Sequence, residues 1–250
     1  MSAGGPGAAS TGHRDLPRTD EVARLRERAL RALRVPSRAY MRRKWDIHQY
    51  GVENVPTTGP VILTCNHTGW LDGPLLVAMA PRAPHAMTKS EMFEGRTGHL
   101  LRTAGQVAVN RHSLDVAAVR TSVRALRDGQ ALAIFPEAKR GNGEFDRLKH
   151  GCAYLALVTG APIVPVVIFG TRAAGESVSS VPPAGRRIDL VYGPPIDVAP
   201  QPWPRRRTEI ALTSHTLKTQ MKRHLDDAAA LTGQVLPGEP PQADPEGEIV

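Results

Sequence analysis

His67 and Asp72 are the pair whose residue types and spacing most directly suggest chemistry. They lie in the stretch Cys65-Asn66-His67-Thr68-Gly69-Trp70-Leu71-Asp72, behind the apolar run Val61-Ile62-Leu63-Thr64-Cys65, which reads as a short buried strand. An imidazole can take a proton from a hydroxyl, and a carboxylate on its other ring nitrogen fixes the tautomer that does so. In a continuous helix a separation of five residues turns through about 500°, so the two side chains would diverge. Gly69 offers a bend that could return Asp72 to one ring nitrogen of His67. The plainer alternative is a loop histidine at a strand end and an aspartate capping the next helix. Cys65 would share a strand face with His67, two residues on; a Cys–His nucleophile is conceivable, but a small buried strand residue is the simpler reading.

The elements that must position this pair alternate. Strands are expected at Ile47–Tyr50, Val61–Cys65, His85–Thr88, Gln106–Val109, Ala131–Phe135, Ile163–Phe169 and Ile188–Tyr192. Helical patterns fall between several of them, at Gly73–Ala80, Thr97–Ala104, Leu114–Arg127 and Leu148–Val158. An amphipathic helix follows at about Thr208–Leu231. This order predicts an α/β fold with a largely parallel central sheet flanked by helices. Ligand sites in such folds sit where strands end and helices begin, which is where His67 falls.

The net charge of +8 is local: nine Lys/Arg and one Glu between Arg24 and Lys44 carry all of it. A helix start is expected at Thr19-Asp20-Glu21, with Val22, Leu25, Ala29, Leu30 and Leu33 on one face and arginines on the others. Pro36 is expected to interrupt it before a second basic segment that carries Tyr40, Met41 and Trp45. A Leu face, Lys/Arg stems and an interfacial Trp are the pattern of a helix lying on an anionic bilayer. The alternative is a helix packed on its own domain with its charges solvated. No nucleic-acid recognition motif accompanies the charge, so nucleic acid is not an expected partner. The expected organisation is a disordered lead at 1–18, basic amphipathic membrane-surface helices at 19–45, a catalytic domain at 46–231 and a disordered, Pro-rich acidic tail at 232–250. The longest apolar run, Ala161 to Phe169, is far short of the roughly 20 residues a spanning helix needs. With no secretory signal pattern either, the expected location is the cytoplasmic face of a membrane, held peripherally. Two cysteines and nine histidines without ligand spacing predict neither a disulfide framework nor a metal site.

Four blocks then stand in order: Asn66-His67-Thr68-Gly69-Trp70-Leu71-Asp72, Gly105-Gln106-Val107-Ala108-Val109-Asn110-Arg111, Phe135-Pro136-Glu137-Ala138-Lys139-Arg140-Gly141 and Ala161-Pro162-Ile163-Val164-Pro165-Val166. Together they resemble the PlsC-like acyltransferase family, the glycerolipid acyltransferases that include 1-acylglycerol-3-phosphate acyltransferases. The resemblance covers roughly residues 47–195. Two departures stand out. Gly69 occupies a position where the family usually carries Ser, and the third block commonly reads Phe-Pro-Glu-Gly-Thr-Arg-Ser in the family, against Ala138, Lys139 and Gly141 here.

The resemblance implies acyl transfer from a thioester to an alcohol, with His67 as general base and Asp72 as its orienting carboxylate. The substrate supplies the nucleophilic oxygen, so no protein serine is needed. Arg111 and Arg140 are the candidates to grip an acceptor phosphate, since guanidinium forks bind it bidentately, and Lys89 could extend the cationic rim. Glu137 is either an orienting partner of an arginine or an acceptor for a glycerol hydroxyl. The apolar faces of the stretches at 73–80, 97–104 and 148–158 are candidates to line an acyl channel, and Pro136, Pro162 and Pro165 are expected at strand edges and turns.

The donor would be acyl-CoA or an acyl carrier protein thioester, with no further cofactor. The acceptor would be a lysophospholipid, first of all 1-acylglycerol-3-phosphate, giving phosphatidic acid. Glycerol 3-phosphate, another lysolipid or an amino-acid lipid would need the same chemistry. A thioester hydrolase and a non-catalytic lipid-binding module at the membrane surface are the alternatives from other classes.

Overall fold

The computed structural model describes residues 16–241. Seven strands form one sheet in the order β1-β7-β6-β2-β5-β3-β4. They run β1 Asp46–Tyr50, β2 Val61–Cys65, β3 Pro84–Lys89, β4 Val107–Val109, β5 Ala131–Ile134, β6 Ile163–Phe169 and β7 Arg187–Tyr192. β2 lies parallel to both β5 and β6, β3 is parallel to β5 and β4, and β1 to β7, whereas β6 and β7 are antiparallel. Every residue of β2, β5 and β6 is buried, which explains why these strands are continuous apolar runs rather than alternating ones.

Helices cover both faces. α1 Glu27–Lys44 and α2 Asp72–Met79 close one side, with Met41, Leu75, Leu76 and Met79 packed against Val61, Leu63, Val164 and Ile168. α4 Val116–Arg127, α5 Gly151–Thr159 and α6 Arg207–Thr232 close the other, around Ile62, Leu132, Ile163 and Val167. α3 Gly95–Thr103 leads into β4. The faces of α2 and α5 expected to line an acyl channel are core instead: Leu75, Leu76, Leu155 and Leu157 are each at most 2% exposed.

The N-terminal basic helix differs from expectation in three ways. It begins at Glu27 rather than near Thr19, and it continues through Pro36 to Lys44. Proline removes one intrahelical bond, and the helix is strapped on both sides of that gap. Arg34 and Arg38 donate to the carbonyls of Ala78 and Ala80 at the C-terminal end of α2, where a helix offers unpaired oxygens and negative partial charge. Burial, and then the neighbouring Arg38, lowers the Arg34 guanidinium to about 10. Trp45 is not interfacial: it is 4% exposed, and its indole N–H donates to the Pro182 carbonyl at 3.0 Å. The apolar stripe of α1 is therefore turned onto the domain. Arg28, Arg31, Arg42 and Arg43, with Val35 and Tyr40, remain on the outside.

Pro165 also falls away from an edge, inside β6 and opposite Thr64 of β2. The β7 ladder starts only at Val166, and the Pro165 carbonyl accepts from Gly193 as the chain leaves β7, so the missing N–H falls just beyond that ladder. After α6, residues from Gly233 onward run back over the sheet. Gln234 donates to Asp189 at 2.7 Å, and the Gly238 carbonyl accepts from Arg172 at 2.6 Å. Among the described residues no helix is long and apolar enough to cross a membrane.

Candidate active site

Because β2, β3, β4, β5 and β6 all run in one direction, the segments that leave their C-terminal ends share one edge of the sheet. His67 follows β2, Lys89 closes β3, Arg111 follows β4, Glu137 and Arg140 follow β5, and Thr171 and Arg172 follow β6.

The bend expected at Gly69 is present. Asp72 opens α2, fully buried, and its Oδ2 accepts from the amides of Thr68 at 2.7 Å and Gly69 at 2.8 Å. The same oxygen lies 3.0 Å from His67 Nδ1. A carboxylate can only accept here, so Nδ1 carries the proton and Nε2 keeps its lone pair. The imidazole stacks on Phe135 at 4.2 Å between ring centres, and the His67 side chain is 18% exposed. A base with one nitrogen fixed and the other accessible results.

The backbone of His67 is clasped as well. Its N–H donates to Glu137 Oε2 at 2.9 Å, and its carbonyl accepts from the Gly141 amide at 2.9 Å. Glu137 Oε1 takes the Phe145 amide at 3.1 Å. Of the two roles open to Glu137, these bonds favour neither; the carboxylate organises the loops after β2 and β5 through their main chains. That loop holds Ala138 at φ 61° and Phe145 at φ 58°, left-handed conformations that favour glycine. Ala138 is where the resembled family commonly has Gly.

Burial pushes the Glu137 carboxyl up to about 7 from an ordinary 4.5, against the two amides that favour its charged form. The folded protein therefore holds this proton more tightly than the unfolded chain. Its stabilising contribution is full below the ordinary value and is lost as pH rises through 7. Between pH 5.5 and 8.5 this group alone lowers unfolding free energy by about 2 kcal/mol, at about 1.4 kcal/mol per pK unit. Denaturant titrations across that range, compared with Glu137→Gln, measure it: the variant shows the smaller decline. Equal slopes would refute the assignment.

The candidate cations are held differently from one another. Arg111 donates through Nη1 to the Ala138 carbonyl at 2.8 Å, which ties the segment after β4 to the Glu137 loop. Its Nε is buried without a hydrogen-bond partner. Arg140 reaches the other way, to the Val178 carbonyl at 3.4 Å. Both are half-buried on the edge that carries His67, and Lys89 lies at the end of β3.

Two residues escaped the sequence reading. Thr171 is fully buried and donates to Asp72 Oδ1 at 2.5 Å. Arg172, 2% exposed, donates to the carbonyls of Thr68 at 2.8 Å, Gly141 at 2.9 Å and Glu176 at 3.1 Å, besides Gly238. The one available signal was positional: both follow β6, the strand beside β2. Asn66, the first residue of the 66–72 block, is also structural. Its amide pairs with both the N–H and the carbonyl of Ile168 and extends the β2–β6 contact beyond the ladder.

The sequence model of a family described as Acyltransferase matches residues 46–169. A 1-acyl-sn-glycerol-3-phosphate acyltransferase of Bacillus subtilis is 28% identical over 152 residues, 60% of this chain and 73% of that protein. A protein of the same description from Borreliella burgdorferi is 32% identical over 127 residues, 49% of this chain and 50% of its own length. A lyso-ornithine lipid O-acyltransferase of Pseudomonas aeruginosa is 34% identical over 116 residues, 45% of this chain and 44% of its own. The chain thus spans about half or less of the last two. The crystal structure of a 1-acyl-sn-glycerophosphate acyltransferase, PlsC, from Thermotoga maritima superposes with a TM-score of 0.58 at 20% identity, covering 78% of this chain and 79% of that one, which establishes a common fold.

Proposed function

Since the chain belongs to the PlsC-like acyltransferase family, we propose that it moves a fatty acyl group from a thioester to the hydroxyl of a lysophospholipid, 1-acylglycerol-3-phosphate in the first instance. The observation that carries this reading is the His67–Asp72 pair, with Nδ1 fixed and the imidazole partly exposed at the sheet edge that also carries Arg111, Arg140 and Lys89. As the acceptor hydroxyl attacks the thioester carbonyl, His67 Nε2 takes its proton. The new C–O bond forms, the C–S bond breaks, and the proton passes to the departing thiolate. Asp72 supports the transient imidazolium without taking the proton itself. The thioester is already activated, so acyl-CoA or an acyl carrier protein suffices as co-substrate without a cofactor.

Arg111 is the stronger candidate for the acceptor phosphate, because its Nε is buried without a partner while Nη1 is tethered. Arg140 and Lys89 complete the cationic edge in this reading. A second acceptor has one specific support, the similarity to the lyso-ornithine lipid acyltransferase; the altered block at 138–141 lies beside the base and is where an acceptor head group would be distinguished.

Thiol release from palmitoyl-CoA, with and without a panel of lysolipids and glycerol 3-phosphate, tests the reading. Release is expected only with acceptor, most with 1-acylglycerol-3-phosphate, and Arg111→Ala raises KM for a phosphorylated acceptor about 10-fold or more. Acceptor-independent release would identify a hydrolase. No release with CoA or carrier-protein thioesters would leave the lipid-binding module.

The outer face of α1, with four exposed arginines beside Tyr40 and Val35, is proposed to rest on an anionic bilayer at the cytoplasmic face. Sedimentation with phosphatidylglycerol vesicles is expected for the wild type and lost in Arg28→Glu/Arg42→Glu/Arg43→Glu. Unchanged sedimentation of that variant, or equal binding to neutral vesicles, would overturn this placement.

A further inference from the structure

Two carboxylate oxygens of Asp72 do different work, and only one is explained by the pairing with His67. Oδ2 takes the imidazole and two backbone amides. Oδ1 takes the Thr171 hydroxyl at 2.5 Å. That hydroxyl lies 3.2 Å from the hydroxyl of Thr68, which is itself 2% exposed. With its own proton committed to Asp72, the Thr171 oxygen can only accept from Thr68. The donors converge on the carboxylate: Thr68 gives to Thr171 and Thr171 to Asp72 Oδ1, while His67 gives to Oδ2, and of these four residues only His67 reaches the surface.

Thr171 is placed by the fold and not by chance rotation of a loop. It follows Phe169-Gly170 at the end of β6, and β6 lies beside β2 in the sheet. Gly170 has φ 87°, where a Cβ would overlap the Arg187 carbonyl, so the chain can turn sharply there only without a side chain. On the other side, a Cβ at Gly69 would come within 3.3 Å of the Thr171 carbonyl oxygen. Glycine at 69 thus admits the β6 loop close against the His67–Asp72 turn.

We propose that Thr171 is a positioning residue for acyl transfer: its hydroxyl fixes the rotation of the Asp72 carboxylate, and so which oxygen meets His67 and at what angle. This rests on the assignment of His67 as the base. Without the hydroxyl, Oδ1 has no side-chain donor, the carboxylate is held through Oδ2 alone, and less of its charge is neutralised away from the imidazole. A more basic carboxylate holds a proton on the imidazole more firmly. The other ionisable groups around this pair are Glu137 against the His67 amide, Arg172 against the Thr68 carbonyl and the Cys65 thiol, which burial and the charges of Asp72 and Glu137 push well up. None of these is altered by the change.

The test compares Thr171→Val, of equal shape, with Thr171→Ser, which retains the hydroxyl. In the acceptor-dependent assay Val is expected to lower kcat about 10- to 100-fold with little change in KM, and Ser to restore most of it. In both the kcat/KM profile and a proton NMR titration of the imidazole, the His67 transition in the Val variant moves to higher pH by about half a unit or more. A purely structural role would lower the folded fraction and leave that transition in place. A Val variant with wild-type kcat, or with the wild-type His67 titration, overturns the inference. Absence of acyl transfer in the wild type would instead overturn the proposed function, and the NMR titration would still decide the link between Thr171 and His67.

Discussion

Replacing His67 with alanine is expected to lower kcat for acyl transfer by about 10²- to 10⁴-fold, the range that a positioned general base supplies. KM for the acceptor should change little, since the imidazole is held by Asp72 and Phe135 and the proposed phosphate contacts lie elsewhere. Asp72→Asn should fall within the same range for a different reason. The amide group would face one of the donors that Asp72 now satisfies, the Thr68 and Gly69 amides or Thr171, or would turn its N–H₂ to His67 and impose the wrong tautomer. The two losses should not add in the double variant, because base and orienter act as one unit. Initial rates of thiol release for the single and double variants measure this. A His67→Ala enzyme with wild-type kcat would remove the base from the mechanism.

The second large effect is on stability. Arg172→Met is expected to reduce unfolding free energy by about 3 to 5 kcal/mol, and a urea titration at constant pH measures it. The guanidinium is almost wholly buried and donates to four backbone carbonyls drawn from the turn after β2, the loop after β5, its own loop and the segment after α6. Methionine fills much of the volume but leaves those oxygens without a donor in a place water does not reach. Arg172→Lys should recover less than half, because one ammonium cannot span what a planar fork with five N–H groups spans. A Met variant within 1 kcal/mol of wild type would show that the four contacts are not what holds these loops together.

The sequence was most legible where periodicity and length speak together. All seven strands lie within a residue or two of where the apolar runs place them, and β2 and β6 could be read as fully buried because they do not alternate. The pairing of His67 and Asp72 was also readable, since a glycine between them supplies the bend. The fate of α1 was not. A stripe of Leu, Met and Trp beside arginines looks the same whether it meets lipid or protein, and only the C-terminal carbonyls of α2, left without helical partners, decide that Arg34 and Arg38 turn inward. Pro36 was misread for a related reason: proline propensity is local, while the contacts that hold the helix across it are tertiary. Thr171 and Arg172 were invisible as function because nothing in the run Gly170-Thr171-Arg172 differs from an ordinary loop. Their roles exist only once β6 lies against β2.

The juxtaposition of β2 and β6 carries a kinetic consequence. His67 and Asp72 are neighbours in sequence, but Asp72 meets Thr171 across 99 residues and Asn66 meets Ile168 across 102. Closing loops of that length is entropically costly and must precede the contacts that reward it, and parallel strands form late for that reason. A nascent chain released before residue 163 would contain the base, its orienter and the whole Glu137 loop, yet no β6 to pair with the open side of β2. The Asp72–Thr171 and Asn66–Ile168 contacts therefore form only when β6 docks against β2.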